Sequence, residues 1–496
     1  NMFVPGGIND VEAQEVVNFV RNIWVDNDTS VTPDPRDADP STVENDARPA
    51  GYPVLGDFYH SQPVVVSPPN KSMFFFDYGY GDAHGYASFM EKHAMRRRVV
   101  LAGANDGLLH AFDGGIYDRD RGSSTETYNE QHDLGDGSEL FAYMPHAVMP
   151  RLYNMTYGKS QQYLVDGLIA TGDVYIDHDG DTNREWRTVA IATMRRGGRG
   201  MVALDITQPD PIDATTFVPD VATDQFPGCL DTGTGCADEY PKVLWEFEDK
   251  DDTDGNCIYA PGPACSPYWD LGWTWSKPAI ARIPVYDASG TPDDVFVAFF
   301  GGGWDRTEND QTGNFIYGVD IATGNILYEA NLGVAVPGSP AALDSDIDGF
   351  HDRIYFADSD GGVHRLQFPS PTDPAATGAD AGTLTRIFDF RSTFASGGFP
   401  DRQKFFHRPV MVPALFGGTG YTWALALGSG DRANLDHFDD INEPIDHFFF
   451  LLDVGDTTTR GKNDLVAMNY DELAGDFECT AEDSPLDPAN GNYGWY

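Results

Sequence analysis

No run of eighteen apolar residues occurs in the sequence, so no helix built from it is expected to span a bilayer. Basic residues are scarce. Lys and Arg number 32 against 78 Asp and Glu, a formal charge of −46 that repels nucleic acid and anionic membrane surfaces alike and suits solubility in salty water. Neither C-x-x-C nor C-x-x-C-H appears among the five cysteines, which removes zinc ribbons, thioredoxin-type redox centres and c-type haem. H-E-x-x-H and G-x-S-x-G are also missing, and with them the helix-borne zinc protease site and the hydrolase serine elbow. The glycine clusters at 195–200 and 301–305 fit neither phosphate-binding fingerprint before a helix, and are expected to be hairpin turns and close backbone contacts. Sustained 3.6-residue periodicity is rare as well, which leaves little room for helix.

What is present is turn chemistry and aromatic residues. A 13% aromatic share with 53 Gly and 33 Pro suits many short strands joined by tight turns, and 41% apolar residues can fill a sizeable core. Residues 11–24 are the clearest helix, with Val16, Val17, Val20, Ile23 and Trp24 on one face and Asp10 as N-cap. Residues 25–49 are acidic and carry Pro33, Pro35, Pro40 and Pro49, the composition of an extended linker. The chain thus divides into a helix with an acidic linker over 1–50 and a folded body over 51–496. It opens at Asn1 with no signal peptide, as expected of a processed protein or a piece of a longer one.

Within the body a unit recurs. Val99 to Asp113 reads VVLAGANDGLLHAFD, and 254 residues later Arg353 to Gln367 reads RIYFADSDGGVHRLQ, so that Asp106, Gly107 and His110 fall on Asp360, Gly361 and His364. Looser copies end at Leu204-Asp205, Val319-Asp320 and Leu452-Asp453, giving anchors near 112, 204, 319, 366 and 452. The gaps of 92, 115, 47 and 86 are one or two units of about 45 residues, the range of β-propeller blades. An all-β propeller of six to eight blades, about seven, with long loop insertions is expected. His110 and His364, at equivalent places, are expected to share a structural role.

Asp344-Ser345-Asp346-Ile347-Asp348-Gly349-Phe350-His351-Asp352 sets carboxylates at positions one, three, five and nine of a loop. Calcium takes six to eight oxygens at about 2.3–2.6 Å, and alternate residues of a tight turn can aim three carboxylates inward while position seven, Phe350, offers its carbonyl. Without a cation such a cluster is repulsive. An EF-hand would need Glu at position twelve, where Tyr355 stands, and flanking helices, whereas Arg353–Ala357 reads as a strand; the loop therefore joins two strands. Asp177, Asp179, Asp181 and Glu185 repeat the spacing between strands expected at 173–176 and 186–193, with Gly180 at position four instead of six, and form a second candidate calcium site. Asp249, Asp251, Asp252 and Asp254 lack the ninth-position ligand and read as an acidic loop. Cys229 and Cys236, and Cys257 and Cys265, are close enough in sequence for local disulfides, which would mean an oxidising compartment; Cys479 is left over. Trp186, Trp245, Trp269, Trp273, Trp275 and Trp304 could line a recognition surface or wedge between blades.

Several stretches together resemble the PilY family of type IV pilus assembly and tip-associated adhesin proteins. They are Leu55-Gly56-Asp57 with His60-Ser61 and 63–66, Val100 to Phe112, Val165-Asp166-Gly167, Trp186 to Val189, Gly197 to Gly200 with Ala203-Leu204-Asp205, Asp270 to Thr274, and Gly301 to Asp305, covering roughly 50–455. The resemblance implies a modified seven-bladed propeller secreted through the periplasm to the cell surface, acting without catalysis at the pilus tip with minor pilins. It further implies calcium at Asp344, Asp346, Asp348 and Asp352, and roles in pilus extension and retraction, twitching motility and attachment to host or abiotic surfaces. The family's N-terminal von Willebrand A-like part and an Arg-Gly-Asp motif are not in this sequence. The alternative from another class is a quinone-dependent dehydrogenase-like propeller enzyme using calcium, which would place an apolar stacking platform and an Asp base in a central cavity.

Overall fold

Strands that pack on both faces read as continuous apolar runs, and here they assemble into five antiparallel sheets, each a blade. The computed structural model describes residues 55–70, 78–117, 132–133, 135, 137–149, 151–152, 155, 161–210, 240–248, 271–286, 292–304, 312–369, 382–391, 403–416, 420–432, 446–466, 486–487 and 491–495. The helix expected over 11–24, the linker and boundary near residue 50, all five cysteines and the Asp249–Asp254 cluster lie outside them.

Blade I holds β1 (Val64–Val66), β2 (Val99–Gly103), β3 (Leu109–Asp113) and β6 (Glu139–Tyr143), with a separate ribbon of β4 (Ile116–Tyr117) and β5 (His132–Asp133). Blade II is β7 (Ile169–Ile176), β8 (Glu185–Thr193), β9 (Gly200–Asp205) and β10 (Lys242–Glu248). Blade III is β11 (Ala279–Tyr286), β12 (Pro292–Gly301), β13 (Phe315–Asp320) and β14 (Ile326–Asn331). Blade IV is β15 (Ala341–Leu343), β16 (Arg353–Ala357), β17 (Gly362–Gln367) and β18 (Thr383–Asp389). Blade V runs β19 (Val410–Phe416), β20 (Gly420–Gly428) and β21 (Phe448–Asp453), then β23 (Asn492–Trp495) and β22 (Leu486–Asp487). The fold is the expected β-propeller, with five of its expected seven or so blades among the described residues. Each of the five anchors is the end of one blade's third strand, so the long gaps between anchors widen single described blades.

Successive first strands β7, β11, β15 and β19 adjoin one another and line the axis. The core is a series of layers between blades, set by the two-residue period of each strand. In β8, Ala190 and Ala192 pack toward blade I while Val189 and Ile191 pack toward blade III. In β16, Ile354 and Phe356 face blade III, and Tyr355 and Ala357 face blade V. Trp186 and Trp245 wedge between blades II and III, their indole N–H groups donating to the carbonyls of His84 and Ile321. Two short helices not anticipated from sequence, Tyr78–Ala83 and Tyr86–Lys92, cap this layer through Tyr86 and Phe89.

The two ends of the blades differ. At one end, the turn face, the hairpin between second and third strands inserts between the segments leading into first strands. Val165 N donates to Ala104 O, Arg195 N to Thr274 O, Gly303 N to Val336 O and Phe405 N to Asp358 O. That close approach explains the glycine clusters: a Cβ at Gly197 would stand 1.5 Å from Leu164 O, and Gly303, at φ +97°, would meet Trp273 O at 2.1 Å. His110 and His364 fasten these hairpins, His110 Nε2 to Asp106 (3.0 Å) and His364 Nε2 to Asp358 (2.8 Å), so the shared structural role holds although the partner is displaced by two positions in the repeat. At the other end, the loop face, lie the connections between first and second strands.

Candidate metal centre

Both calcium candidates are such first-to-second-strand loops, Asp344–Asp352 between β15 and β16 and Asp177–Glu185 leaving β7 for β8. They have one backbone. In the first loop Ile347 N (2.7 Å) and Gly349 N (2.8 Å) donate to the two oxygens of Asp344, and Phe350 N donates to Asp348 (2.9 Å). In the second, Gly180 N (2.8 Å) and Thr182 N (3.0 Å) donate to the two oxygens of Asp177, and Asn183 N donates to Asp181 (2.7 Å). Positions four and six are left-handed in both, Ile347 at φ +64° with Gly349 at +91°, and Gly180 at +81° with Thr182 at +74°. Glycine relieves strain at one of two left-handed positions in each loop, so the displaced glycine of the second loop marks no different geometry.

The backbone turns three carboxylates inward in each. Asp344, Asp346 and Asp348 each offer an oxygen within 4.8 Å of the others, as do Asp177, Asp179 and Asp181. The ninth positions are not part of these groups. Asp352 accepts from Ser345 N (2.6 Å) and Ser345 Oγ (2.5 Å) and props the first loop closed, while Glu185 pairs with Arg187. The electrostatics differ too. The Asp346 carboxyl is held above the ordinary range by desolvation and then by Asp348, Asp352 and Asp344, whereas Asp181, fully exposed, is lowered by hydrogen bonds from Asn183. Oxygen-only donors, converging and mutually repelling, fit a hard divalent cation such as calcium at the first loop.

Blade III connects the loops. His351 N donates to Arg282 O (2.8 Å), and the Arg282 guanidinium lies 4.0 Å from the Phe350 ring and 3.7 Å from the Tyr80 ring. Tyr80 donates to Asp294 (2.5 Å), which also takes Arg184 (3.1 Å), a residue of the second loop.

One cluster escaped the sequence reading. His146, on the 3-10 turn His146–Val148 after blade I, meets Glu246 and Glu248 of β10, with ligand atoms within 4.8 Å. His146 Nδ1 lies 2.8 Å from Glu248 Oε2, and Tyr143 donates to Glu246. Burial, opposed by Tyr143 and reinforced by Glu248, pushes the Glu246 carboxyl up to about 7. An N,O,O donor set of this kind suits a borderline metal such as zinc. His146 stands 100 and 102 residues from the two glutamates in sequence, and only the alternation of Glu246 and Glu248 on one face of a strand hinted at the cluster.

Residues 55–233 match the family described as the PilY1 beta-propeller domain. A type IV pilus biogenesis factor PilY1 homolog of Xylella fastidiosa is 28% identical over 455 residues, covering 89% of this chain and 28% of the relative. The type IV pilus biogenesis factor PilY1 of Pseudomonas aeruginosa is 26% identical over 322 residues, covering 63% of this chain and 21% of the relative. The chain therefore spans about a quarter of the length of these relatives. The crystal structure of the Pseudomonas aeruginosa PilY1 C-terminal domain aligns at TM-score 0.51 and 21% identity, over 81% of this chain and 68% of that one, a likeness of fold. Propeller architecture, family match and curated relatives converge: residues 55–233 match the PilY1 β-propeller domain, and the chain is similar to PilY1 proteins in sequence and in fold.

Proposed function

We propose that this chain is a calcium-binding, non-enzymatic propeller of an extracellular type IV pilus factor. In this reading it acts at the pilus tip with minor pilins, in pilus extension and retraction, twitching motility and adhesion. The observation that carries the calcium part is the common backbone of the two loops, which aims three carboxylates at one point twice, on the same face of the propeller. At the first loop Asp344, Asp346 and Asp348 would supply carboxylates and Phe350 its carbonyl, with Asp352 holding the loop shut through Ser345. A bound cation supplies positive charge that offsets their repulsion. A ligand that binds only the folded state adds about 2.7 kcal/mol at hundred-fold excess over its Kd, enough to fix the loop against β11 of blade III. Cation occupancy would thereby set the shape of the loop face, where a pilus partner could read it.

The loops also speak against the dehydrogenase alternative. They sit on the loop face, whereas Trp273, Trp275 and Trp304 lie on the turn face, so a cation held by these carboxylates would be remote from those three indoles, and Trp186 beside the second loop is buried between blades II and III rather than open as a stacking platform. The test is calorimetry with calcium on the wild-type chain, Asp348→Ala and an Asp177/Asp179 double alanine variant. Loss of one saturable site in Asp348→Ala, with loss of calcium-dependent thermal stability, supports the proposal. No calcium binding by wild type from micromolar to millimolar concentration overturns it, and robust turnover with added quinone and calcium would overturn the non-enzymatic part.

A further inference from the structure

A chain of net charge −46 should spend its few arginines on its many carboxylates, yet three on the turn face have no carboxylate partner among the described residues. Arg195, 6% exposed, sits in the hairpin between β8 and β9 with its guanidinium 4.1 Å from the Trp275 ring centre. Arg196, next in the chain, lies 5.7 Å from Trp273 and 5.6 Å from Tyr163. Arg432 follows β20, at the same end of blade V. Nε of Arg195, Nε of Arg196 and Nε1 of Trp275 are buried with no acceptor. Arg195 also adopts φ +50°, a strained conformation for a long side chain, pinned by a backbone bridge to Thr274.

We infer that Arg195, Arg196 and Arg432 form a carboxylate-binding site on the turn face, for a ligand carrying at least two carboxylates. A guanidinium stacked on an indole keeps its planar N–H edge available, and that edge matches a carboxylate in a two-bond fork. The local field points the same way. Burial, then Arg432, and further Arg196, hold Arg195 down to about 10, opposed by Asp166. Asp166 is itself engaged by His60, through His60 N (3.0 Å) and Nδ1 (2.6 Å), and burial with Arg195 and Arg432 nearby lowers the His60 pKa despite that bond. Lys404, 6.0 Å from the Trp304 ring, is not part of the site because Asp431 holds it at 2.8 Å. The carboxylates could belong to a small polycarboxylate or to an acidic polypeptide segment.

Calorimetry with citrate, with a hexaglutamate peptide and with a hexaglutamine control tests this on the full chain. Since the molecule as a whole repels anions, saturable binding of either carboxylate is expected only from a built site. Arg196→Gln and Arg432→Gln should each weaken it at least tenfold, the loss of one charge-assisted bond, while Lys242→Gln on the outermost strand of blade II leaves it unchanged. Binding of citrate alone identifies a small-molecule site, and binding of hexaglutamate, with or without citrate, a polypeptide site. Without ligand, both arginine variants should melt at or above the wild-type temperature, because removing one of three uncompensated cations relieves repulsion; a merely structural role would lower it. No binding of either carboxylate at millimolar concentration, equal binding by the Arg196→Gln/Arg432→Gln double variant, or equal binding of hexaglutamine overturns the inference.

Discussion

Asp346 is the carboxylate that the first loop holds most reluctantly as an anion, since burial and three neighbouring aspartates all raise its pKa. A carboxyl with a raised pKa binds more protons folded than unfolded, so its contribution to stability falls as pH rises through the window above 3.8. Asp346→Asn should therefore melt above wild type in chelator at pH 7 and below it in excess calcium, and scanning fluorimetry in the two buffers would show the reversal. The same sign in both would mean that the loop holds no cation. Glu246 obeys the same sign over a defined window, from its ordinary 4.5 to about 7. Glu246→Gln, in chelator, should raise the melting temperature at pH 8 and lose that advantage by pH 4, where wild-type Glu246 is protonated in both states; an advantage independent of pH would place the strain elsewhere. The difference between these residues is also one of legibility. Asp346 announces itself through its spacing from Asp344 and Asp348, whereas Glu246 looks like an ordinary strand residue until folding brings His146 and Tyr143 to it.

At the scale of hairpins, the glycines test how blades are fastened. Gly303→Ala must place a methyl against Trp273 O and hold φ +97°, so it should cost about 3 kcal/mol or more in denaturant unfolding. Gly333→Ala, also left-handed at φ +71° but with open space around it, should cost only about 1 kcal/mol. Equal costs would mean that the turn face tolerates displacement. These turns are readable in sequence as glycine clusters, and the strand limits at 353–357 are as expected, whereas the strand expected over 173–176 reaches back to Ile169. What spacing could not convey was that the intervals between anchors contain, among the described residues, one blade each, because loop length carries no strand signal. Nor could it separate tryptophans by role: Trp186 and Trp245 wedge between blades, while Trp275 and Trp304 meet Phe406 where strands begin. The arginines beside them passed as part of a glycine-rich turn, since nothing in Arg195-Arg196 shows that their carboxylate partners are missing.

The whole molecule must hold radial blades together while carrying a large excess of one charge. Layers between blades supply most of the cohesion, and buried pairs add specificity at the seams: Arg365 of blade IV meets Asp453 of blade V at 2.5 Å, and Tyr355 donates to the same carboxylate at 2.6 Å. Arg365→Met would leave the buried Asp453 its hydrogen bonds from Tyr355 and Gly455 N but, of the cations, only the weaker Arg353 contact at 3.7 Å, so a loss of roughly 3 to 5 kcal/mol is expected. Against this cohesion works the formal charge of −46. Salt has two opposite effects on such a molecule. It weakens favourable exposed pairs such as Arg184 with Asp293, each contributing about 1 kcal/mol or less, and it screens long-range repulsion among the surplus carboxylates. With more than two acidic residues for each basic one, repulsion outweighs the pairs, so the chelated protein should melt several degrees higher in molar sodium chloride than at low ionic strength. Calcium at millimolar concentration should raise the melting point further at low salt, by site binding that the Asp348→Ala variant lacks. If calcium stabilised wild type and variant equally, its effect would be screening alone, and the acidic loops would be ordinary solvated turns.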